Sequence, residues 1–180
     1  MQRLIVELPT IPPDGISRRY TSTGTALGII DPDLTVVRPV EIECRFYKVN
    51  HEVVVQGNLC SALRLTCSRC AEEFEQPLSV ELDAVYLPLD ALSSTRAKEL
   101  EEGEADVYPY ADQVIEITEM VRDKLLLSMP LQPHCRVGCK GICPSCGLNR
   151  NVVSCQCGEE KLGSPFEPLK ALRSRGRDEE

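Results

Sequence analysis

The C-terminal third of the chain contains closely spaced cysteines. Five of the nineteen residues from 139 to 157 are cysteine: Cys139, Cys143, Cys146, Cys155 and Cys157. In the turn from Cys143 to Gly147, a proline fixes the entry and the glycine permits a left-handed exit, so that two thiolates can converge on one ion. Cys155 and Cys157 lie far enough along the chain for it to turn and bring them back to the same ion. The spacing predicts one structural zinc bound by Cys139, Cys143 and Cys146, with Cys155 or Cys157 as fourth ligand.

Disulfides, an iron–sulfur cluster or a thiol redox couple are alternative uses of these cysteines. The N-terminal segment Met1 to Leu8 lacks the apolar region of a signal peptide, which predicts a cytoplasmic, reducing location where clustered cysteines more often bind metal. A thioredoxin-like pair would be followed by an apolar helix, but Asn149 and Asn151 follow here. The pattern offers no ligand set with an open water position, so a catalytic zinc is not expected.

A second cysteine pair, Cys67 and Cys70, follows an apolar segment earlier in the chain. It could be a metal knuckle that borrows a further ligand from Cys60, His134 or Cys135. It could equally be a tight turn with small, buried, reduced thiols, and the pattern alone favours this second interpretation. Arg69, between the two cysteines, is a candidate contact for a phosphate or carboxylate.

The charge is unevenly distributed along the 180 residues, whose net charge is -8. Residues 71–120 contain 14 acidic residues against Arg96 and Lys98, whereas residues 121–180 contain 10 basic and 7 acidic residues. This asymmetry indicates a basic partner for one region and nucleic-acid phosphate for the other, although plain solubility also explains charge runs. No apolar run approaches the length of a membrane span, so a soluble protein without a membrane partner is expected.

Hydrophobic patterning predicts an α+β fold. Apolar and polar residues alternate from Val40 to Tyr47 and from Phe74 to Tyr86, as in half-buried strands of an antiparallel sheet, which could be barrel-like. A helix over 118–129, with Thr118 as N-cap, is expected to cover this sheet. Leu4 to Leu8 is a further predicted strand, and residues 89–109 are predicted to be a mobile loop with at most a short helix.

The predicted organisation has three parts. Residues 1–130 form the β-rich domain, residues 131–160 a zinc-ribbon module, and residues 161–180 a short terminal helix with a basic tail. Ser164 and Pro165 begin that helix, because serine caps well and proline suits the first helical position.

Several segments together resemble the YceD-like family, the large ribosomal RNA subunit accumulation proteins. The resemblance covers roughly residues 40–175, which is most of the chain, and it rests on the order of these segments: Cys67 to Cys70, Phe74 to Tyr86, Ile115 to Pro130, Cys139 to Asn149 and Phe166 to Arg173. It implies a bacterial or organellar factor for large-subunit ribosomal RNA, acting in ribosome assembly or in processing of the precursor. A small basic ribosomal protein of the large subunit is an implied partner. Some members lack the cysteine ribbon.

The leading functional hypothesis is a noncatalytic factor that binds ribosomal RNA or its precursor, or a ribosomal protein, or both the RNA and the protein. The expected phosphate contacts are Arg136, Lys140 and Arg150 in the ribbon and Lys170, Arg173 and Arg175 in the tail. A metal-dependent nuclease is an alternative, but the acidic residues alternate along strands or lie in a loop instead of gathering around an ion. A thiol redox regulator is the third class. Neither His51 nor His134 belongs to a recognisable nucleophile–base motif, so no enzyme is predicted.

Overall fold

The computed structural model describes residues 3–31, 34–94 and 106–157. Within these ranges the protein is mostly β-sheet with two α-helices, which confirms the α+β class. The elements are β1 (Ile5–Glu7), a 3-10 turn (Leu8–Thr10), β2 (Ile16–Ser22), β3 (Leu34–Val36), β4 (Val40–Val49), β5 (Glu52–Thr66), β6 (Glu73–Pro88), α1 (Leu89–Ser94), β7 (Asp106–Tyr110), β8 (Val114–Glu116) and α2 (Thr118–Leu127).

The main sheet has the strand order β2-β4-β5-β6-β7, and β3 pairs with the C-terminal part of β5. The strands β4 and β5 form a hairpin, with Asn50 at its turn in the left-handed region at φ 56°. Alternation is also confirmed, because Ile42, Cys44 and Phe46 are buried while the residues between them face outward.

The barrel-like alternative is wrong, because the sheet in the described part of the chain is open, with β2 and β7 at its two ends. The sheet is also not purely antiparallel, since β7 runs parallel to β6. A parallel neighbour needs a long crossover connection, and the chain from Leu89 to β7 provides one. The helix α1 lies at its start, while residues 95–105 of the predicted loop lie outside the described residues.

The helix α2 covers the sheet and closes an aliphatic core. Met120, Val121 and Leu125 are fully buried at one face of the helix and belong to the same core cluster as the inward residues of β4, β5 and β6. The predicted capping role of Thr118 is wrong, because the N-cap position is Ile117. The Thr118 Oγ1 instead accepts a hydrogen bond from the Leu4 backbone N at 3.0 Å, which ties the N-terminal segment to the helix.

A small second sheet pairs β1 with β8 in antiparallel register, so the predicted N-terminal strand is present in shorter form. The predicted helix after Ser164 lies outside the described residues.

The β5–β6 hairpin is the part of the fold that matters most for the site, because its turn carries Cys67 and Cys70.

Candidate metal centres

The turn between β5 and β6 presents two cysteines. The Cys67 N donates to the Glu72 carbonyl and the Ala71 N donates to the Cys67 carbonyl, both at 2.9 Å. Ala71 is in the left-handed region at φ 56°, so the chain reverses directly after Cys70. A tight reversal of this kind directs the Cys67 and Cys70 thiols to the same place.

The chain after α2 brings two more cysteines against this turn. The Pro133 carbonyl accepts hydrogen bonds from the Ser68 N at 2.8 Å and from the Ser68 Oγ at 3.0 Å. The Arg69 Nη1 donates to the Cys139 carbonyl at 3.2 Å, and the Ile142 N donates to the Arg69 carbonyl at 3.0 Å. These bonds fix residues 133–142 along the turn.

Cysteine group 1 consists of Cys67, Cys70, Cys135 and Cys139. All four sulfurs lie within 4.8 Å of one another, with 3.9 Å between the Sγ atoms of Cys67 and Cys139 and 3.7 Å between those of Cys70 and Cys135. Four sulfurs placed tetrahedrally at the zinc–thiolate bond length would be separated by about 3.8 Å. The arrangement therefore has the spacing of a closed four-thiolate metal site.

Cysteine group 2 consists of Cys143, Cys146, Cys155 and Cys157, whose sulfurs also lie within 4.8 Å of one another. The Gly147 N donates to the Cys143 carbonyl at 2.9 Å, and Gly147 takes the left-handed exit, at φ 71°, that the sequence predicted. The Cys143 N donates to the Leu148 carbonyl at 2.8 Å, next to a bridge between Ile142 and Asn149. Group 2 is thus built within one short segment.

Asn151 connects the two groups. Its Nδ2 donates to the Cys139 Sγ at 3.3 Å and to the Asn149 Oδ1 at 2.8 Å, while its Oδ1 accepts from the Lys140 N at 2.8 Å. The Asn149 Nδ2 in turn donates to Glu72 at 3.2 Å, beside the β5–β6 turn. This asparagine pair, which the sequence interpretation treated only as evidence against an apolar helix, holds the module together.

Hydrogen bonding makes the thiols within each group unequal. Desolvation favours the neutral thiol of Cys67, but backbone N–H groups, including that of Cys135, donate to its sulfur and lower its pKa to about 6. In group 2, the backbone N–H groups of Cys146 and Ser145 lower the pKa of Cys143 to about 6. Desolvation and neighbouring sulfurs raise the pKa of Cys135 to about 12. Each group therefore combines a ready thiolate with thiols that a metal ion must deprotonate on binding.

The chemistry of both groups suits a soft, tetrahedral ion. All ten cysteines are unpaired, so the clustered sulfurs are available as ligands. Within the described ranges, these two groups are the sets of three or more cysteine, histidine or acidic residues close enough to hold an ion. Four sulfurs leave no coordination position for water or substrate, which is typical of structural sites.

The structure divides the predicted cysteine ligands differently from the sequence interpretation. Cys139 lies with Cys67 and Cys70 in group 1, whereas the spacing placed it with Cys143 and Cys146. Both Cys155 and Cys157 join group 2, so neither is spare. Cys135 was considered only as a borrowed ligand. Its four-residue spacing from Cys139 was the sequence signal for a second knuckle.

The other candidate residues fall into two sets. Arg69, Arg136, Lys140 and Arg150 are exposed around the two groups, while Lys170, Arg173 and Arg175 lie outside the described residues. Cys60 is not part of either group, because it is exposed on β5 beside Asn58. His134 is half-buried and belongs to neither cluster.

The acidic residues of the predicted block form a strand face. Glu73, Glu75, Glu81 and Asp83 alternate along β6 and are exposed. Glu75 is paired with Arg64 across the hairpin at 3.0 Å. Carboxylates spaced in this way cover a surface and do not converge on an ion.

The fold and the site define an α+β protein with a cysteine-rich module that could hold metal ions. The chain belongs to the family described as large ribosomal RNA subunit accumulation protein YceD, whose sequence profile matches residues 55–173. This match confirms the resemblance seen in the sequence, and it includes all eight cysteines of groups 1 and 2. No solved structure matches the chain.

Curated relatives agree with this assignment. The chain is 24% identical over 163 residues to large ribosomal RNA subunit accumulation protein YCED homolog 1, chloroplastic, of Arabidopsis thaliana, covering 79% of this chain and 51% of the relative. The Zea mays protein of the same name is 26% identical over 178 residues, covering 86% and 60%. An uncharacterized protein of Mycobacterium tuberculosis is 26% identical over 109 residues, covering 61% and 50%. The chain spans about half the length of the curated relatives it matches.

The helices of the described residues, α1 and α2, have six and ten residues. Neither meets the length and apolarity that a membrane crossing requires.

Proposed function

We propose that this protein is a noncatalytic factor in the accumulation of large-subunit ribosomal RNA, and that it binds that RNA or its precursor through its cysteine module. The observation that carries the proposal is the family match over residues 55–173, which spans the β5–β6 turn and the whole of both cysteine groups. Binding would take place in the cytoplasm, where the free state of all ten cysteines suits a reducing environment.

The basic residues of the module provide the proposed RNA contacts. Lys140 directly precedes Gly141 in the chain, and the Gly141 carbonyl accepts a hydrogen bond from the Arg150 N at 2.9 Å. Arg136 belongs to the same module, because its carbonyl accepts from the Cys139 N at 3.1 Å. All three side chains are exposed. A rigid backbone that presents several cations suits phosphate, which gives affinity without reading sequence.

Zinc is the ion we propose for the thiolate groups, with a structural role. Four thiolates at tetrahedral spacing suit zinc, and a segment as short as 131–157 has little core of its own. Elemental analysis of protein purified without added metal tests this assignment. If the protein instead contains iron and absorbs visible light, the site holds an iron–sulfur cluster and the zinc assignment is wrong.

The acidic face of β6 is the proposed contact for a basic ribosomal protein of the large subunit. Glu73, Glu81 and Asp83 face outward on one strand, and Glu41 and Glu43 are exposed on β4 of the same sheet. Arg19 is paired with Glu43 at 3.0 Å, so part of this charge is compensated within the protein. The remaining carboxylates would attract a cationic surface, more strongly at low salt.

Salt-dependent binding to fragments of large-subunit ribosomal RNA tests the RNA proposal. The variant Lys140→Ala/Arg150→Ala should bind more weakly, and the slope of log affinity against log salt should fall by about 0.7–0.9 for each phosphate that the variant no longer neutralises. The charge-matched control is Arg18→Ala/Lys48→Ala. These residues are exposed on β2 and β4, and Lys48 pairs with Val53 near the start of β5, the opposite end from Cys67.

Unchanged binding by the Lys140/Arg150 variant, or an equal loss in the control, would remove the module from the proposed interface. The RNA should also remain intact in the presence of Mg²⁺, because neither cysteine group has an open position and the acidic residues in the described part of the chain do not converge. Specific cleavage would contradict the noncatalytic assignment.

A further inference from the structure

We propose that the chain binds two zinc ions with different roles, an inference that rests on the zinc assignment proposed above. The ion in group 1 fastens residues 131–157 to the β5–β6 turn. The ion in group 2 shapes only the local segment 143–157 and exchanges more readily.

The two groups require two ions because each is already a complete ligand set. A zinc ion takes four thiolates, and each group supplies four sulfurs within 4.8 Å of one another. One ion would leave the other four thiols crowded together without a metal. In group 1 three of these thiols, Cys67, Cys70 and Cys139, are only 2%, 5% and 4% exposed.

Group 1 joins parts of the chain that are distant in sequence. Cys70 and Cys135 are 65 positions apart, and Cys67 and Cys139 are 72 positions apart. An ion bound by all four would therefore crosslink the sheet to the segment after α2. The distance in sequence gives this ion a role that the local group 2 cannot have.

Apolar contact is too small to fasten the module without the ion. Among the described residues, the cluster around group 1 consists of its own cysteines and one larger side chain, Phe74. Leu131 and Val137, on either side of Cys135, are fully exposed at 102% and 101%. Because Leu131 and Val137 bury no side-chain surface, the remaining attachment is a few hydrogen bonds, each of which adds little net stability in water. A metal crosslink supplies the missing stabilisation.

The ligands of group 2 are more exposed to solvent than those of group 1. Its four ligands lie within residues 143–157, and Cys146 and Cys157 are exposed. A chelator removes zinc by replacing thiolates, so an ion with exposed ligands is attacked first. Group 2 should therefore lose its ion before group 1, and the contact of Ser68 with Pro133 should survive that loss.

Zinc content and release in three cysteine variants test the proposal. Cys70→Ser disrupts group 1, Cys146→Ser disrupts group 2, and Cys60→Ser is the control for an exposed cysteine outside both. Wild type and Cys60→Ser should contain two zinc ions per chain, and each of the other variants one. Transfer to a chromophoric chelator should have two phases in wild type, and the faster phase should be missing in Cys146→Ser.

Limited proteolysis distinguishes the two roles. Cys70→Ser should be cut rapidly between residues 128 and 140, because the module is released from the sheet. Cys146→Ser should be cut only beyond residue 142. If Cys70→Ser fails to fold, wild type treated with one and then two equivalents of chelator gives the same comparison, with the cut at 128–140 appearing only after the second.

One zinc per wild-type chain, loss of both ions in either variant when that variant is folded, or equal opening of residues 128–140 in folded Cys70→Ser and Cys146→Ser would overturn the proposal. These readouts do not involve RNA. A two-zinc protein that binds no ribosomal RNA would refute the proposed function alone, whereas an RNA-binding protein with one zinc would refute only the two-ion arrangement.

Discussion

Replacing Gly141 with alanine should loosen the cysteine module at the point where it meets the sheet. Gly141 has φ 70°, in the left-handed region, and a Cβ at this position would lie 2.9 Å from the Arg69 carbonyl oxygen. The same oxygen accepts the hydrogen bond from the Ile142 N at 3.0 Å. The added methyl group would therefore push apart two segments that this bond holds together.

Two other glycines of the module separate the contributions to this effect. Gly147 has φ 71° and Gly138 has no positive φ, and a Cβ added at either glycine would meet no atom within 4 Å. Gly138→Ala should be neutral or stabilising by up to about 1 kcal/mol, since alanine restricts the unfolded chain. Gly147→Ala adds a left-handed cost of about 1–2 kcal/mol, for a net loss of roughly 0.5–1 kcal/mol. Gly141→Ala should lose about 1 kcal/mol more, because the hydrogen bond to Arg69 is also weakened.

Hydrogen exchange of zinc-loaded protein measures this order directly. The opening free energy of peptides from residues 131–157 should fall most in Gly141→Ala, less in Gly147→Ala and not at all in Gly138→Ala. Peptides from β4 should exchange equally in all three variants, because that strand lies outside the module. Equal protection in Gly141→Ala and Gly147→Ala would refute the claim that close packing on Arg69 stabilises the module.

Two further predictions concern the sheet domain. Glu73→Lys/Glu81→Lys/Asp83→Lys should reduce capture of a basic large-subunit ribosomal protein at low salt without lowering the melting temperature, since these residues are exposed; unchanged capture would assign the acidic face to solubility alone. Thr118→Val should destabilise the protein by about 1–3 kcal/mol in urea unfolding, because it leaves the buried Leu4 N–H without its acceptor. Thr118→Ser should restore most of that loss, and equal stability of the valine and serine variants would contradict the role of this bond.

The strands were predictable because local pattern decides them. Alternation along β4 and β6 matches one buried and one exposed face. The open sheet and the parallel β7 depend on which strands meet, and no local pattern encodes that choice. Thr118 carries a side chain that is typical of helix N-caps, yet in the fold its hydroxyl accepts a hydrogen bond from the Leu4 N instead.

The cysteine groups show the same division between local and distant information. Group 2 lies within one segment, and its spacing identified all four members as candidate ligands. Group 1 depends on pairing of β5 and β6 along their length, which places the Cys67–Cys70 turn against residues 133–142. Cys139 is four positions from Cys135 of group 1 and four positions from Cys143 of group 2. Sequence spacing therefore could not assign it to one group, and only the fold does so.

The most direct test of the central claim is to identify the RNA crosslinked to the tagged protein in cells. The account predicts enrichment of large-subunit ribosomal RNA or its precursor over small-subunit RNA, with most of it lost in Lys140→Ala/Arg150→Ala and kept in Arg18→Ala/Lys48→Ala. Recovery of both ribosomal RNAs in their cellular proportion, or enrichment that is unaffected by the Lys140/Arg150 variant, would contradict it.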